Sequence, residues 1–508
     1  MEHYDIIIIG TGAGGGTMAY ALAETGKKIL LLERGDFLPR ERENWSTEEV
    51  FKNKRYQAHE TWTYNGEPFR PEIHYWVGGN TKMYGAALFR LREADFGEIK
   101  HVGGVSPAWP VGYDVFAPYY TQAEKLYHVH GERGIDPTEP PTDNPYAYPP
   151  LTHEPRVSQL KADLEHLGYH PFPLPMGIKR GEGVGDSPVN HSTFDGYPDL
   201  TESKADAHVI AVKPALQHDN VALLTNRMVW KLATDASGKT VKGVHVRHNG
   251  EEEVYSADIV VVAAGAANSA AIFLRSASDT HPNGLGNSSD MVGRNYICHN
   301  NGTFIAISKE PNDSIFQKTL AMSDWYGPSA DWDYPMGLIQ MLGKVDETLM
   351  AFEAPEPLGG MTYAEMAAHS LDFWLQGEDL PDPNNRITVN SEGGIELHYT
   401  ENNIEAYNYL VGKLRVLLGH IGCYEHLVPV DYYLGTKFPF NLAHQAGTMR
   451  FGTDSQTSVL DVNCRVHDLD NVYVTDAAFM PSIGAVNPSL TIIANVLRVA
   501  DHLKSEVL

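Results

Sequence analysis

The segment Gly10-Thr11-Gly12-Ala13-Gly14-Gly15 constrains the fold of this chain more than any other. It fits GxGxxG, and its surroundings match the mechanism of that motif. Before it, Tyr4–Ile9 is a short apolar run, as a doubly buried parallel strand requires. After it, Thr17–Thr25 is an Ala-rich helical stretch closed by Gly26, and Lys28–Leu32 is a second apolar run ending at Glu33. In such a βαβ unit Gly10 makes the tight turn, Gly12 lets a pyrophosphate approach the backbone, and Gly15 allows close helix–strand contact. The helix N-terminus adds free N–H groups and a positive partial charge. The Glu33 carboxylate can accept hydrogen bonds from a ribose diol and would repel a 2′-phosphate. The unit is expected to bind a dinucleotide, NAD or FAD.

Length decides between these two. A reductase that passes electrons from NAD(P)H through a flavin usually carries a second fingerprint. In 508 residues there is none, since Gly265 in AAGAAN lacks the companion glycines. One dinucleotide site in so long a chain points to FAD that stays bound and cycles between two small molecules. Composition is that of a globular protein, with 42% hydrophobic residues. Charge is lopsided: 65 acidic against 39 basic residues give −26, with no clustered Lys/Arg run. Nucleic acid and anionic membrane are therefore excluded as expected partners. Cys298, Cys423 and Cys464 form no CxxC spacing and no dense disulfide frame, consistent with a reducing compartment. The N-terminus enters a strand directly without a signal-peptide pattern, so a cytoplasmic location is expected. The most apolar stretch, Ile259–Leu274, is shorter than a bilayer span and reads as a buried strand turning into a helix.

Further along, GVHVRH, Asn249-Gly250 and EEEVYSADIVVVAAG read as a hairpin. Short strands are expected at Thr303–Ile307 and Met336–Leu342, and a helix around Ala406–Leu418. Pro137–Pro155 holds seven prolines and reads as an extended surface arm. Arg180–Leu200, rich in Gly, Asp and Ser, reads as a loop or lid. The fold class expected is mixed α/β, with two interleaved domains. Residues 1–100, 216–300 and 441–508 would form a Rossmann-like FAD-binding domain. Residues 101–215 and 301–440 would form a substrate domain on an antiparallel sheet, with arm and lid loops at 133–156 and 180–206.

A second glycine cluster, Val77-Gly78-Gly79-Asn80-Thr81-Lys82-Met83-Tyr84-Gly85-Ala86, lies some seventy residues downstream. Alone it could be any loop. Combined with the βαβ unit, LLTNRMVWKL and the motif-dense last seventy residues, it resembles the glucose–methanol–choline (GMC) flavoprotein oxidoreductases. The resemblance implies their architecture, akin to p-hydroxybenzoate hydroxylase, and FAD as cofactor. It assigns cofactor contacts to Gly10, Gly12, Ala13, Gly15, Glu33 and Arg34, and to Gly78, Gly79, Asn80, Met83, Tyr84, Gly85 and Ala86. Val229 would reach adenine through backbone groups. Ala264, Gly265, Asp476, Ala477, Asn487, Pro488 and Ser489 complete the set. Some members bond FAD covalently through a His in the second cluster. Met83 occupies that place here and cannot form the bond, so FAD is expected to be non-covalent. The family's second signature is only partly matched, because Ser276-Ala277-Ser278 replaces its closing Ser-Gly-x-Gly.

His444, ahead of Ala446-Gly447-Thr448, and Asn487, in Val486-Asn487-Pro488, match the family's His-Asn pair. Alcohol oxidation by flavin needs a base for the hydroxyl proton and a group that orients the oxygen, while hydride moves to flavin N5. Neutral imidazole suits the base, and an amide bonds the oxygen without competing for the proton. Asn487-Pro488 equally reads as an N-cap with Pro at N1, and the two readings can coexist. Gln340 interrupts the apolar strand MGLIQML, which calls for a partner, either a substrate hydroxyl or a structural hydrogen bond. Arg92, shortly after the glycine loop, is placed in the same cavity. His128-Val129-His130 has the look of a metal pair but signals no third ligand; a surface position is expected, and no metal.

Several segments are most similar to bacterial pyranose-oxidase-like enzymes, including those that oxidise the C3 hydroxyl of glycosides. Among them are HYWVGGNTKMYGAALFRLREADFGE and SVLDVNCRVHDLDNVYVTDAAFMPSIGAVNP. This resemblance implies oxidation of a pyranose C2 or C3 hydroxyl to a ketone, with O2 or a quinone as acceptor. A non-sugar alcohol (aryl alcohol, sterol, choline-like) and a hydroxynitrile-lyase-type reaction with non-redox FAD remain alternatives.

Overall fold

The computed structural model describes residues 2–179, 189–354, 356, 357, 359–430 and 444–508. The fingerprint is embedded in the expected unit. Strand β1 (Glu2–Ile9) runs into helix α1 (Ala13–Leu22), and β2 (Ile29–Leu32) returns parallel to β1. Ile6, Ile7 and Ile8 are fully buried, as an interior parallel strand demands. Each such side chain contributes about 2 kcal/mol.

Four further strands continue this sheet: β3 (Val221–Leu224), β4 (Met228–Thr234), β5 (Val241–His248) and β6 (Glu251–Val262). After β6 come helix α2 (Ala266–Arg275), strand β7 (Val472–Val474) and helix α3 (Ser489–His502). The strand order is β3-β2-β1-β6-β5-β4, with β7 also on β6. The twelve residues of β6 serve two neighbours on one side. Its first part pairs antiparallel with β5 and its last part, Val260–Val262, pairs parallel with β7. Its burial follows, from exposed at Glu251 to fully buried at Val262. The β5–β6 turn is the expected Asn-Gly turn, with Asn249 (φ 50°) and Gly250 (φ 84°) both left-handed.

A second sheet is wholly antiparallel. Its order is Cys423–Val430, Asn300–Ser308, Ser370–Gly377, Leu338–Met341, Leu320–Met322 and Phe172–Pro173. Strand periodicity sorts its residues. Phe373, Leu375, Ile339 and Met341 share a core with Leu410 and Leu414 of the helix Ile404–Leu418. Trp374 and Gln340 therefore face the opposite way. That resolves the anomaly of Gln340, which is polar because it sits on the other side of an otherwise apolar strand. A four-stranded sheet joins Arg386–Val389 and Ile395–His398 to Trp62–Tyr64 and Glu67–Phe69.

The proline-rich arm is tied down. Arg92 Nη2 bonds Asp136 Oδ2 at 2.6 Å, Ser323 Oγ bonds Asp136 Oδ1 at 2.6 Å, and Arg133 lies 3.7 Å over the Tyr146 ring. His130, expected at the surface, is buried instead. Its ring nitrogens meet the carbonyls of Pro149 (2.7 Å) and Ile178 (3.1 Å), which fastens the arm to the body. Of the lid expected at 180–206, residues 180–188 lie outside the described residues. All three cysteines are free and buried. Among the described residues, no helix is long and apolar enough to cross a membrane, and no group of three His, Cys, Asp or Glu could hold a metal.

Candidate active site

The turn after β1 shows why the motif needs its glycines. Gly10 has φ 95°, and a Cβ on it would fall 2.4 Å from the Ala263 carbonyl oxygen at the end of β6. A Cβ on Gly15 would fall 1.9 Å from the Gly10 oxygen, so this glycine serves helix–strand contact rather than a ligand. The N-termini of α1, α2 and α3 all reach one cavity of about 270 Å³. None of the three carries a side-chain cap. Their first-turn N–H groups are left for a ligand, and anionic phosphate is what such ends select. The cavity continues past Val229 on β4, an edge strand whose outer backbone groups have no ladder partner. These features fit an elongated dinucleotide.

Most of the expected cofactor residues line this cavity. Gly10, Gly12, Ala13, Glu33, Arg34, Gly79, Asn80, Met83, Tyr84, Gly85 and Ala86 do so, as do Val229, Ala264, Gly265, Asp476, Ala477, Pro488 and Ser489. Gly15 and Gly78 do not. The Gly78 N–H donates instead to Thr11 Oγ1 (3.0 Å), whose hydroxyl donates to Glu33 Oε2 (2.6 Å). Thr11 thus ties both glycine clusters to the end of β2, a role its sequence position did not signal. Glu33 also accepts from the Gly35 N–H (2.9 Å), and burial raises its carboxyl pKa. Arg34 pairs with Glu60 (2.8 Å) and lies 3.6 Å over the Tyr75 ring. Asp476 accepts from the Gly265 N–H (2.9 Å), Ser269 Oγ (2.5 Å) and the Ala478 N–H (2.9 Å), which locks the start of α2 to the chain after β7.

His444 and Asn487 also line the cavity. His444 Nδ1 lies 3.1 Å from Nδ1 of His299, ring to ring in a T shape. Two facing ring nitrogens at that distance hold one proton between them. Burial, with the nearby Lys318 charge, lowers the His444 pKa to about 4. Burial also lowers that of His299, well below the usual range. His299 is pinned from behind. Its own N–H and that of Cys298 donate to Asp379, its ring meets the backbone carbonyls of Ile483 and Gly484, and its backbone is left-handed at φ 73°. A non-glycine residue held so is over-determined by its surroundings.

Asn487 is not a helix cap. Helix α3 starts at Ser489 with Pro488 at the N-cap, and the Asn487 Oδ1 accepts from Gln340 Nε2 at 2.9 Å. Gln340 therefore meets the site through Asn487 and does not line the cavity. Its own Oε1 is buried without a partner among the described residues. Arg92 lies outside the cavity as well. Its guanidinium is consumed by Asp136, Thr138 Oγ1 (3.0 Å) and the Arg90 carbonyl (2.8 Å). Asp195, Lys318 and Trp374 are among the cavity residues that went unsuspected in the sequence.

A mixed α/β molecule with a glycine-fingerprint cradle and a His-Asn pair lining the same cavity is a flavin-dependent oxidoreductase. Two GMC oxidoreductase family models match, one over residues 4–301 and one over residues 431–495. The chain belongs to the GMC oxidoreductases, binds FAD and acts on alcohol groups. It is 29% identical over 540 residues to 6'''-hydroxyparomomycin C oxidase of Streptomyces lividus, covering 99% of this chain and 92% of that protein. It is 24% identical over 576 residues to the fructose dehydrogenase large subunit of Gluconobacter japonicus, covering 99% and 98%. Among solved structures, pyridoxine 4-oxidase from Mesorbium loti superposes with a TM-score of 0.67 at 19% identity, covering 99% of this chain and 100% of that one.

Proposed function

We propose that this enzyme oxidises a secondary hydroxyl of a sugar or glycoside, at C2 or C3 of a pyranose, to the ketone. The observation that carries the reading is the convergence of a buried His444 ring and the Asn487 amide on the cavity that the cofactor residues line. His444 takes the hydroxyl proton at Nε2. This requires that the proton of the histidine pair sit on His444 Nδ1, donated to Nδ1 of His299, whose own ring proton then sits on Nε2 and is accepted by the backbone carbonyls of Ile483 and Gly484. A ring that stays neutral down to about pH 4 is available as a base across the physiological range. Asn487, its Oδ1 occupied by Gln340, presents its Nδ2 donor to the substrate oxygen. Bound FAD supplies the acceptor for the carbon-bound hydrogen and its electron pair at flavin N5, and O2 or a quinone restores it. Met83 lines the cavity where a histidine could bond flavin, and a thioether leaves the cofactor non-covalent.

The relative named as a fructose dehydrogenase supports a sugar donor. We assign residues 1–100, 216–300 and 441–508 to the cofactor-holding part and 101–215 and 301–440 to the substrate-holding part. His444→Ala tests the reading. It should retain FAD, while the anaerobic rate of flavin bleaching by substrate falls by about 10³-fold. Normal bleaching would remove His444 from the base role. A hydroxynitrile-lyase type would leave its flavin oxidised with every alcohol.

A further inference from the structure

We propose that Asp195 and Lys318 form a diol-binding subsite, so that the preferred substrate carries a second hydroxyl next to the one oxidised. This rests on the reading of His444 and Asn487 as the groups that handle the oxidised hydroxyl. Lys318 Nζ donates to Asp195 Oδ2 at 2.5 Å, and the two side chains are 4% and 7% exposed. Both line the cavity that holds His444, Asn487 and Trp374. A Cβ on Gly85 would fall 2.2 Å from Asp195 Oδ1 and 2.2 Å from Lys318 Nζ, which places the pair directly over the second glycine cluster.

A buried ion pair is expensive to desolvate, and its remaining donors and acceptors are normally filled. This pair is left unfilled. Among the described residues, Lys318 Nζ donates only to Asp195, which leaves two N–H groups. Asp195 Oδ2 also accepts from the Gly343 N–H (3.3 Å), and among the described residues no donor meets Oδ1. A charged donor and a charged acceptor a hydrogen-bond length apart match neighbouring hydroxyl oxygens on a ring. One hydroxyl accepts from the ammonium and the other donates to the carboxylate. Trp374, its indole N–H turned onto Gln376 Oε1 (3.1 Å), adds apolar ring surface to the same wall. A simple alcohol would leave the spare Lys318 N–H groups and Asp195 Oδ1 unfilled, whereas a pyranose fills them.

The test compares holoenzyme reduction by a methyl pyranoside with reduction by its analogues lacking one hydroxyl next to the oxidised carbon. Affinities for the same compounds are measured on the pre-reduced holoenzyme, which cannot turn over. Wild type should favour the parent by about 100-fold in kcat/KM. Each single charge removal strands its partner, so the double variant D195N/K318M is decisive and should favour the parent by no more than about threefold. Asp195→Asn, which keeps shape, is the second variant and should cut discrimination at least about tenfold. Wild-type discrimination under about threefold overturns the proposal. So does full discrimination in the variants, including an equal loss on parent and analogue. Bleaching by simple cyclic alcohols as readily as by pyranosides overturns this proposal alone. No bleaching with any alcohol overturns the oxidation reading and this one with it.

Discussion

On the fingerprint wall of the cavity, the groups that face inward are largely backbone, set by glycines and by three uncapped helix ends. The second wall is made of side chains, namely His444, Asn487, Trp374, Asp195 and Lys318, each from a different part of the chain. At Gly10, Gly14 and Gly15 the first wall tolerates no added atoms, because backbone lies against backbone. The second is held by hydrogen bonds, whose loss is graded. Damage to the first should therefore appear as lost cofactor and lost stability, and damage to the second as lost rate in a folded, yellow protein.

Gly15→Ala is the most severe way to break that comparison. Its methyl would land 1.9 Å from the Gly10 carbonyl oxygen, so β1 and α1 must part. We expect a loss of about 4 kcal/mol in unfolding free energy and of most bound FAD, read from denaturant unfolding and visible absorbance. Gly15→Ala protein that keeps its flavin and its stability would show that the first wall is as forgiving as the second.

pH separates the walls by a different route. The His444 pKa lies at about 4, depressed first by burial and then by the Lys318 charge. The inactive form of a base is the protonated one, so activity is full above that value and lost below it. Flavin reduction should stay flat from pH 8 to about 5 and fall about tenfold per unit below about 4. Rapid-mixing measurements at fixed saturating substrate, with FAD content followed in parallel, check this. A fall that begins near the ordinary histidine value of about 6.5 would place the ring in water.

The two walls also differ in how far the sequence discloses them. The βαβ unit, the Asn249-Gly250 hairpin and the strand-to-helix turn at Ile259–Leu274 depend on neighbours in the chain, and all were legible. Thr11 was hidden in plain sight, because its hydroxyl acts on groups 22 and 67 residues away. Asp195 and Lys318 meet across 123 residues, and no local pattern marks either. Arg92 misled through proximity, since its side chain points to Asp136 on the arm rather than toward the loop it follows. Gln340 was legible as an anomaly only. A polar residue in an apolar strand announces that it has a partner, but only the fold shows that the partner is Asn487.

That pairing yields the smallest and most discriminating effect. Gln340 donates to Asn487 Oδ1, but among the described residues its own Oε1 is buried without a partner. Gln340→Leu removes the donor that orients the Asn487 amide and at the same time removes an unsatisfied acceptor. The first loss acts on the reaction and the second relieves the folded state, because a buried orphan acceptor costs about 1–3 kcal/mol. The two effects should therefore separate. We expect kcat/KM to fall about tenfold, the worth of one oriented hydrogen bond, while the melting temperature holds or rises. An activity loss that only tracks a fall in melting temperature would make Gln340 an ordinary core residue. Unchanged activity would mean that Asn487 is oriented without it.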